Sequence, residues 1–321
     1  MTRRALLTGA VSLTWAVTVR AQGWPDRPLR LVVPFPPGGP TDLVARPLAQ
    51  RLTEALGQAV IVENRGGAGG NLGAEAVAKA PPDGHTLLLS NVGVLTVNRF
   101  LYRNLPFDPE RDFSPVALVA GAPVALVVHR DVSARTVTEF VAWTKTQPAP
   151  VPYGTAGTGS PGHLAGELFR SLTGAVLTHV PYRGSAPALQ DVAAGHIAVM
   201  FDPVQSPLGQ IQAGRVRALA ISAPERSPVL PEVPTMAEAG VADHLMVAWW
   251  AVVAPTMTPT PVIARLATEI ARIGTAPDWQ AALARQGISP MLRGPVELAA
   301  FLREETERWG AAVRASGARA D

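Results

Sequence analysis

One stretch constrains this chain more than any other: Phe35-Pro36-Pro37-Gly38-Gly39-Pro40-Thr41-Asp42. An apolar run, Leu29 to Val33, leads into it, and an amphipathic helix, roughly Asp42 to Leu56, leads out. A strand that ends in a glycine-opened loop and restarts as a helix sets a helix N-terminus at a gap. The first N–H groups of such a helix lack internal partners and carry the positive end of its dipole, so backbone alone can make an anion site. The pattern returns in the second half of the chain. Val151-Pro152-Tyr153 is followed by Gly154-Thr155-Ala156-Gly157-Thr158-Gly159-Ser160-Pro161-Gly162-His163, then by a second helix. Two such loops, one in each half, predict two lobes that bring them together around one small anion. Read singly, each loop is also an ordinary strand-to-helix turn.

Around these loops strands and helices alternate, which predicts parallel α/β layers. The first part reads as strand 29–33, helix 42–56, strand 59–63, a glycine-rich loop Asn64 to Asn71, helix 72–79 and strand 86–90. Ala117 to Val128 is an apolar run interrupted by Gly121 and Pro123, and reads as a crossing between lobes. The second part reads as helix 134–146, the second loop with its helix 161–172, strand 177–181, helix 186–194 and a strand 197–201 ending on Asp202. Residues 216–222 are apolar again and return to the first lobe. A proline-rich loop 224–234, a short helix 235–239, a strand 249–254 and helices 259–273, 277–285 and 295–315 close the chain. The division expected is a leader at 1–21, one lobe from 22–122 with 223–321, and another from 123–222. At 321 residues, 47% of them hydrophobic, the chain is long enough for a core in each. Pro47 sits inside the first helix pattern, where proline clashes with the preceding turn, so that helix is expected to start late or kink.

The N-terminus reads as an export signal. Thr2-Arg3-Arg4 is basic, Ala5 to Val19 is uncharged and mostly apolar, and Val19-Arg20-Ala21 resembles a small-x-small cleavage site before Gln22. The apolar run is shorter than the ~20 residues a membrane span needs. Arg3-Arg4 is compatible with general or twin-arginine export. The expected location is therefore the periplasm. Without residues 1–21 the chain keeps 25 basic against 25 acidic residues. A neutral chain without a Lys/Arg cluster predicts no nucleic-acid partner.

Several chemistries find no support. There is no cysteine, hence no disulfide, thiolate nucleophile or cysteine metal site. The six histidines show no metal-ligand spacing. Gly157 to Gly162 fits G-x-G-x-x-G, but no acidic residue stands where a dinucleotide fingerprint wants one. Thr158-Gly159-Ser160-Pro161-Gly162 approaches a hydrolase elbow with threonine in the first position, and His163 lies too near Ser160 in sequence to complete a triad. No cofactor and no enzymatic activity are expected. Of the pair Trp249-Trp250, one ring is expected in the core and the other is a candidate to line a ligand.

These segments carry a resemblance. Pro34 to Asp42, Val62 to Gly73, Pro82-Asp83-Gly84-His85-Thr86-Leu87-Leu88, Tyr153 to Glu167, Pro181-Tyr182-Arg183-Gly184 and Leu230-Pro231-Glu232-Val233-Pro234-Thr235 run in order along the chain. Together they resemble the periplasmic solute-binding receptors of the tripartite tricarboxylate transporter family, the TctC or Bug type. The resemblance implies a two-lobed type II periplasmic-binding-protein fold, each lobe a mostly parallel sheet flanked by helices, with the ligand cleft between lobes. It implies a small carboxylate ligand: an amino acid, a di- or tricarboxylate, or an aromatic acid. It implies as partners the membrane subunits of a tripartite tricarboxylate-type transporter, served by a monomeric receptor. The carboxylate would be held by backbone groups and bridging waters at Pro37, Gly38, Gly39, Thr41, Asp42, Gly157, Thr158, Gly159, Ser160 and His163, with Asp202 choosing the rest of the ligand. Pro47, Arg99 and the segment Phe201 to Ser206 depart from the usual family pattern. The last two flank the expected cleft. A sensor for a signalling kinase and a periplasmic enzyme on the same scaffold remain open alternatives.

Overall fold

The computed structural model describes residues 23–316 and 319–320. The expected leader, residues 1–21, lies outside the described residues. The chain forms strands β1 (Leu29–Val33), β2 (Val60–Asn64), β3 (Thr86–Asn91), β4 (Phe113–His129), β5 (Val151–Thr155), β6 (Leu177–Pro181), β7 (Val199–Pro203), β8 (Val216–Ser222), β9 (Val247–Pro255) and β10 (Ser289–Arg293). The helices are α1 (Pro40–Leu56), α2 (Asn71–Ala78), α3 (Asn98–Leu101), α4 (Val137–Lys145), α5 (Pro161–Thr173), α6 (Ser185–Ala194), α7 (Leu208–Gln212), α8 (Thr260–Thr275), α9 (Pro277–Ala284) and α10 (Pro295–Ser316).

The strand order is β2-β1-β3-β9-β4-β7-β5-β6, with β8 and β10 paired to β4. The predicted parallel layers are present at both ends. β1 runs parallel to β2 and β3, and β5 runs parallel to β6 and β7. The middle is antiparallel, because β4 and β9 enter against their neighbours. β4 carries the continuity. Its stretch 113–123 pairs with β9, and its stretch 124–129 pairs with β7 and β8. Flanked on both sides along its length, it is buried almost throughout, which is why it reads as one long apolar run. Val32, Leu88, Leu126 and Val252 lie at zero exposure, and Trp249 and Trp250 are among the largest fully buried side chains.

Four local expectations need correction. The first helix starts early, at Pro40, and runs unbroken through Pro47 to Leu56. Val44, Leu48 and Leu52 bury one face of it, and that packing outweighs the local cost of proline. The expected helix 235–239 is a single turn: Thr235 and Glu238 exchange reciprocal bonds of 2.8 and 3.1 Å, but nothing extends the helix they cap. β7 lies two residues later than expected, which brings Asp202 inside the strand. β10 was not anticipated: its pattern is not alternating, and it exists because β4 offers an edge to pair with.

Candidate functional site

β1 and α1 deliver the first loop. Gly38 turns with φ +79°, and Gly39 is the extended N-cap of α1. Asp42, 3% exposed, ties this loop together. Its Oδ2 accepts from the Gly38 N–H at 2.9 Å and from Arg46 Nε at 2.8 Å, and its Oδ1 accepts from Asn64 Nδ2 at 2.9 Å. Burial alone would push this carboxyl up, but the bonds from Arg46, Gly38 and Asn64 outweigh it and hold the pKa below its usual value. Asp42 is thus a brace whose acceptor capacity is spent within the loop. Beside it the Thr41 hydroxyl accepts from Trp250 Nε1 at 3.0 Å and keeps its own proton to donate.

β5 and α5 deliver the second loop, braced from behind by histidines. His163 Nδ1 accepts from the Gly159 N–H at 3.1 Å, and the Ser160 hydroxyl caps α5 by accepting from the His163 N–H at 3.3 Å. The His163 ring stacks on His179 at 4.1 Å between centroids, and His179 Nε2 is 2.7 Å from the Thr155 hydroxyl, which accepts from the Gly157 N–H. Burial pulls His163 down to about 4, against the opposing charge of Glu167, and burial with the His163 charge pulls His179 to about 3. Both are neutral at ordinary pH, as an Nδ1 that accepts a hydrogen bond requires.

Between these loops lies a cleft with about 470 Å³ of empty space, part of it open to solvent. Of the expected site residues, Pro37, Gly39, Thr41, Ser160 and Asp202 line it. Gly38, Asp42, Gly157, Thr158, Gly159 and His163 do not. His163 faces a separate groove shared with Glu167, Arg170 and Trp309. Gly39 has an ordinary backbone: its φ is −80°, and a Cβ there would meet only the Pro36 carbonyl at 3.7 Å. Gly159 does need glycine, with φ +81° and a Cβ position that collides with Asn98 Oδ1.

The cleft also gathers residues that sequence reasoning passed over. Gly184, Ser185, Ala186 and Pro187 bring the N-terminus of α6 to the same cavity as those of α1 and α5. Their signal in the sequence is Tyr182-Arg183-Gly184-Ser185, a third glycine loop between a strand and a helix. Phe35, Trp250, Ala156 and Pro203 supply apolar wall, and Asn91 adds an amide whose Oδ1 accepts from the Gly93 N–H at 3.0 Å. The tryptophan pair divides as expected: Trp250 lines the cleft, whereas Trp249 packs inward and donates to Glu305 at 2.8 Å.

Asp202 is 1% exposed and accepts from the Ser185 hydroxyl at 2.9 Å through Oδ1, while Oδ2 has no hydrogen-bond partner. Burial pushes its pKa up to about 7, with the hydroxyls of Ser206 and Ser185 pulling the other way. Among the described residues no Lys, Arg or His lines the cleft, and Asp202 is the one ionisable group that does. Among the described residues no cluster of His, Cys, Asp and Glu is arranged to hold a metal ion, and no helix is long and apolar enough to cross a membrane.

Residues 44–318 match the sequence profile of the tripartite tricarboxylate transporter family receptor, TctC. The chain is 38% identical to Protein BugT of Bordetella pertussis, over 99% of each chain. A solved R. palustris protein with adipate superposes with a TM-score of 0.89 at 37% identity, covering 92% of this chain and 98% of that one. MatC from Rhodopseudomonas palustris with bound malate gives 0.86 at 36% identity, covering 90% and 100%. Profile, identity and two-lobed α/β architecture agree, and the chain belongs to the tripartite tricarboxylate transporter family of receptors, of the TctC or Bug type.

Proposed function

We propose that this protein is an extracytoplasmic solute-binding protein that captures one small carboxylate in the cleft and delivers it to a membrane transporter of the tripartite tricarboxylate type. One observation carries the reading: the first residues of α1, α5 and α6 line a single cavity to which no described residue brings a cationic side chain. Three helix N-termini offer a carboxylate positive dipole ends and N–H donors. Each end contributes about 0.3–1 kcal/mol when exposed and up to about 2 when partly buried. Charge-assisted hydrogen bonds add about 1.5–3 kcal/mol each. A few of these, less the cost of ordering, suit an affinity near micromolar, about −8 kcal/mol.

In this reading Pro37, Gly39, Thr41, Ser160 and the α6 N-terminus face the carboxylate, directly or through water, and Asp202 faces the remainder of the ligand. Gly38, Asp42, Gly157, Thr158, Gly159 and His163 shape the loops that do so. The lobes meet at residues 122–123 and 222–223, where β4 changes partners and β8 ends. Relatives solved with adipate and malate support a small carboxylate and a receptor rather than an enzyme. The basic and apolar N-terminus supports export to the periplasm by a cleavable leader, and the near-neutral mature chain supports the absence of a nucleic-acid partner.

The test is a thermal-shift screen, followed by calorimetry, on protein purified from the periplasmic fraction. At least one small carboxylate should raise Tm by several degrees and bind with a Kd near micromolar, since a ligand of the native state adds RT ln(1 + [L]/Kd). Retention of the protein in the cytoplasm, or a flat screen across mono-, di- and tricarboxylates and amino acids, overturns the reading.

A further inference from the structure

Among the described residues the cleft has one ionisable group available to it, and that group is an acid. Asp202 sits at 1% exposure; the Ser185 hydroxyl donates to Oδ1, the Ser206 hydroxyl lies beside the carboxyl, and Oδ2 holds no hydrogen bond. The titratable groups on the elements around β7 are spent elsewhere. Glu167 on α5 accepts from Tyr153 at 2.8 Å and Arg170 at 2.7 Å, Asp191 on α6 accepts from Tyr182 at 2.6 Å, and His179 on β6 meets Thr155. Arg183, beside Gly184, is exposed and does not line the cavity. Beside the neutral polar groups of Thr41, Asn91, Ser160 and Ser185, most of the wall is apolar: Phe35, Trp250 and the prolines 36, 37, 40, 161, 187 and 203.

A buried acceptor without a donor is destabilising, and a ligand that supplies the donor removes that cost. A ligand that instead presents a second carboxylate sets two like charges together in a desolvated space, with no cation to separate them. We propose that the cleft selects a singly charged carboxylate with an apolar body whose far end carries a hydrogen-bond donor, a hydroxyl or an amine, for Asp202, and that it discriminates against dicarboxylates. This inference rests on the receptor reading and narrows it. It separates this chain from the relatives solved with adipate and malate, both of which bear a carboxylate at each end.

Two matched series test it by calorimetry: hexanoate, 6-hydroxyhexanoate and adipate; benzoate, 4-hydroxybenzoate, 4-aminobenzoate and terephthalate. In wild-type protein the donor-bearing member of at least one series should bind about tenfold or more tighter than its donor-free parent and than its dicarboxylate, as expected where a site's buried polar group goes unpaired. In Asp202→Asn the preference over the parent should fall below about threefold and the dicarboxylate should gain. The hydroxy and amino members separate the two donor sources. Adipate or terephthalate binding more tightly than the donor-bearing partner in wild type, or an unchanged order in Asp202→Asn, overturns the inference and leaves the receptor reading intact. The wild-type ranking decides even if Asp202→Asn does not fold. If no carboxylate of any kind binds, both readings fall.

Discussion

The two glycine loops look alike on the page and do different things in the fold. The loop before α1 contributes wall: Phe35, Pro36, Pro37, Gly39, Pro40 and Thr41 all border the cleft. The loop before α5 contributes little wall, only Ala156, Ser160 and Pro161. Its glycine segment is spent on packing against the elements that follow β2 and β3. The Gly159 carbonyl presses on Gly93, a Cβ on Gly159 would strike Asn98, and a Cβ on Gly69 would fall 2.9 Å from the Thr158 carbonyl. Glycine at 93 is therefore a condition for backbone-to-backbone approach, and glycine at 159 for a left-handed turn beside the Asn98 side chain, whereas glycine at 39 is a matter of cleft shape. The braces differ as well. Asp42 holds the first loop as an anion, and His163 holds the second as a neutral ring.

The sharpest way to break this comparison is Gly93→Ala. The added methyl has no room at the Gly159 carbonyl, and backbone cannot swing aside as a side chain can. Overpacking of this kind costs about 1–3 kcal/mol. If it is relieved by parting the two loops, carboxylate affinity should fall about five- to 150-fold in calorimetry, with no cleft-lining residue altered. An affinity within twofold of wild type would mean that this contact does not hold the cleft together.

The braces differ in their response to pH. His163 has a folded pKa of about 4 against an ordinary 6.5, so the unfolded chain binds the proton more tightly. Its contribution to stability is complete above about pH 6.5 and is lost as pH falls toward 4. Asp202 acts in the opposite sense: its folded pKa is near 7 against 3.8, so it favours the folded state at low pH and costs stability as pH rises from about 4 to 7. The two slopes oppose each other across one window. His163→Asn, which keeps an acceptor near the Gly159 N–H, should remove one of them. Relative to wild type, its Tm should then improve on acidification from pH 7 to 5, by an amount on the order of 1–3 kcal/mol at most. Parallel Tm profiles for the two proteins over that range would sink the idea that neutral His163 braces the loop.

The smallest effect is expected at Gly39→Ala. Its φ is ordinary and its Cβ position is 3.7 Å from the nearest atom, so Tm should move by less than about 2 °C and affinity by less than about threefold. A loss as large as that at Gly93 would erase the distinction between the loops.

Much of this architecture was legible along the chain. Leu29–Val33 announces a strand by apolar continuity, and Gly57 and Gly195 stop their helices in the left-handed conformation that glycine permits. Both glycine loops were legible as strand-to-helix turns. Their division of labour was not, because it depends on which residues of a distant element lie opposite. His163 illustrates this: beside Ser160 and a glycine run it reads as a ligand contact, yet its ring points to the reverse side against His179. β10 and the aborted helix at 235–239 failed for a related reason, since a free edge on β4 created the one and no packing face sustained the other.

By itself the sequence determined the things that arise from neighbours in the chain. These are the alternation of strands and helices, the two loops that open onto helix N-termini, the absence of thiol chemistry and the family. Tertiary structure decided what depends on approach through space. It brought a third helix N-terminus beside the other two, turned Asp42 and His163 inward as braces, and buried Asp202 with one oxygen unpaired in a cleft that no Lys, Arg or His among the described residues lines. The physical reason is one of range. Propensity, capping and turn chemistry act over a few residues, whereas desolvation and steric fit are set by whatever the folded chain places within a few ångströms.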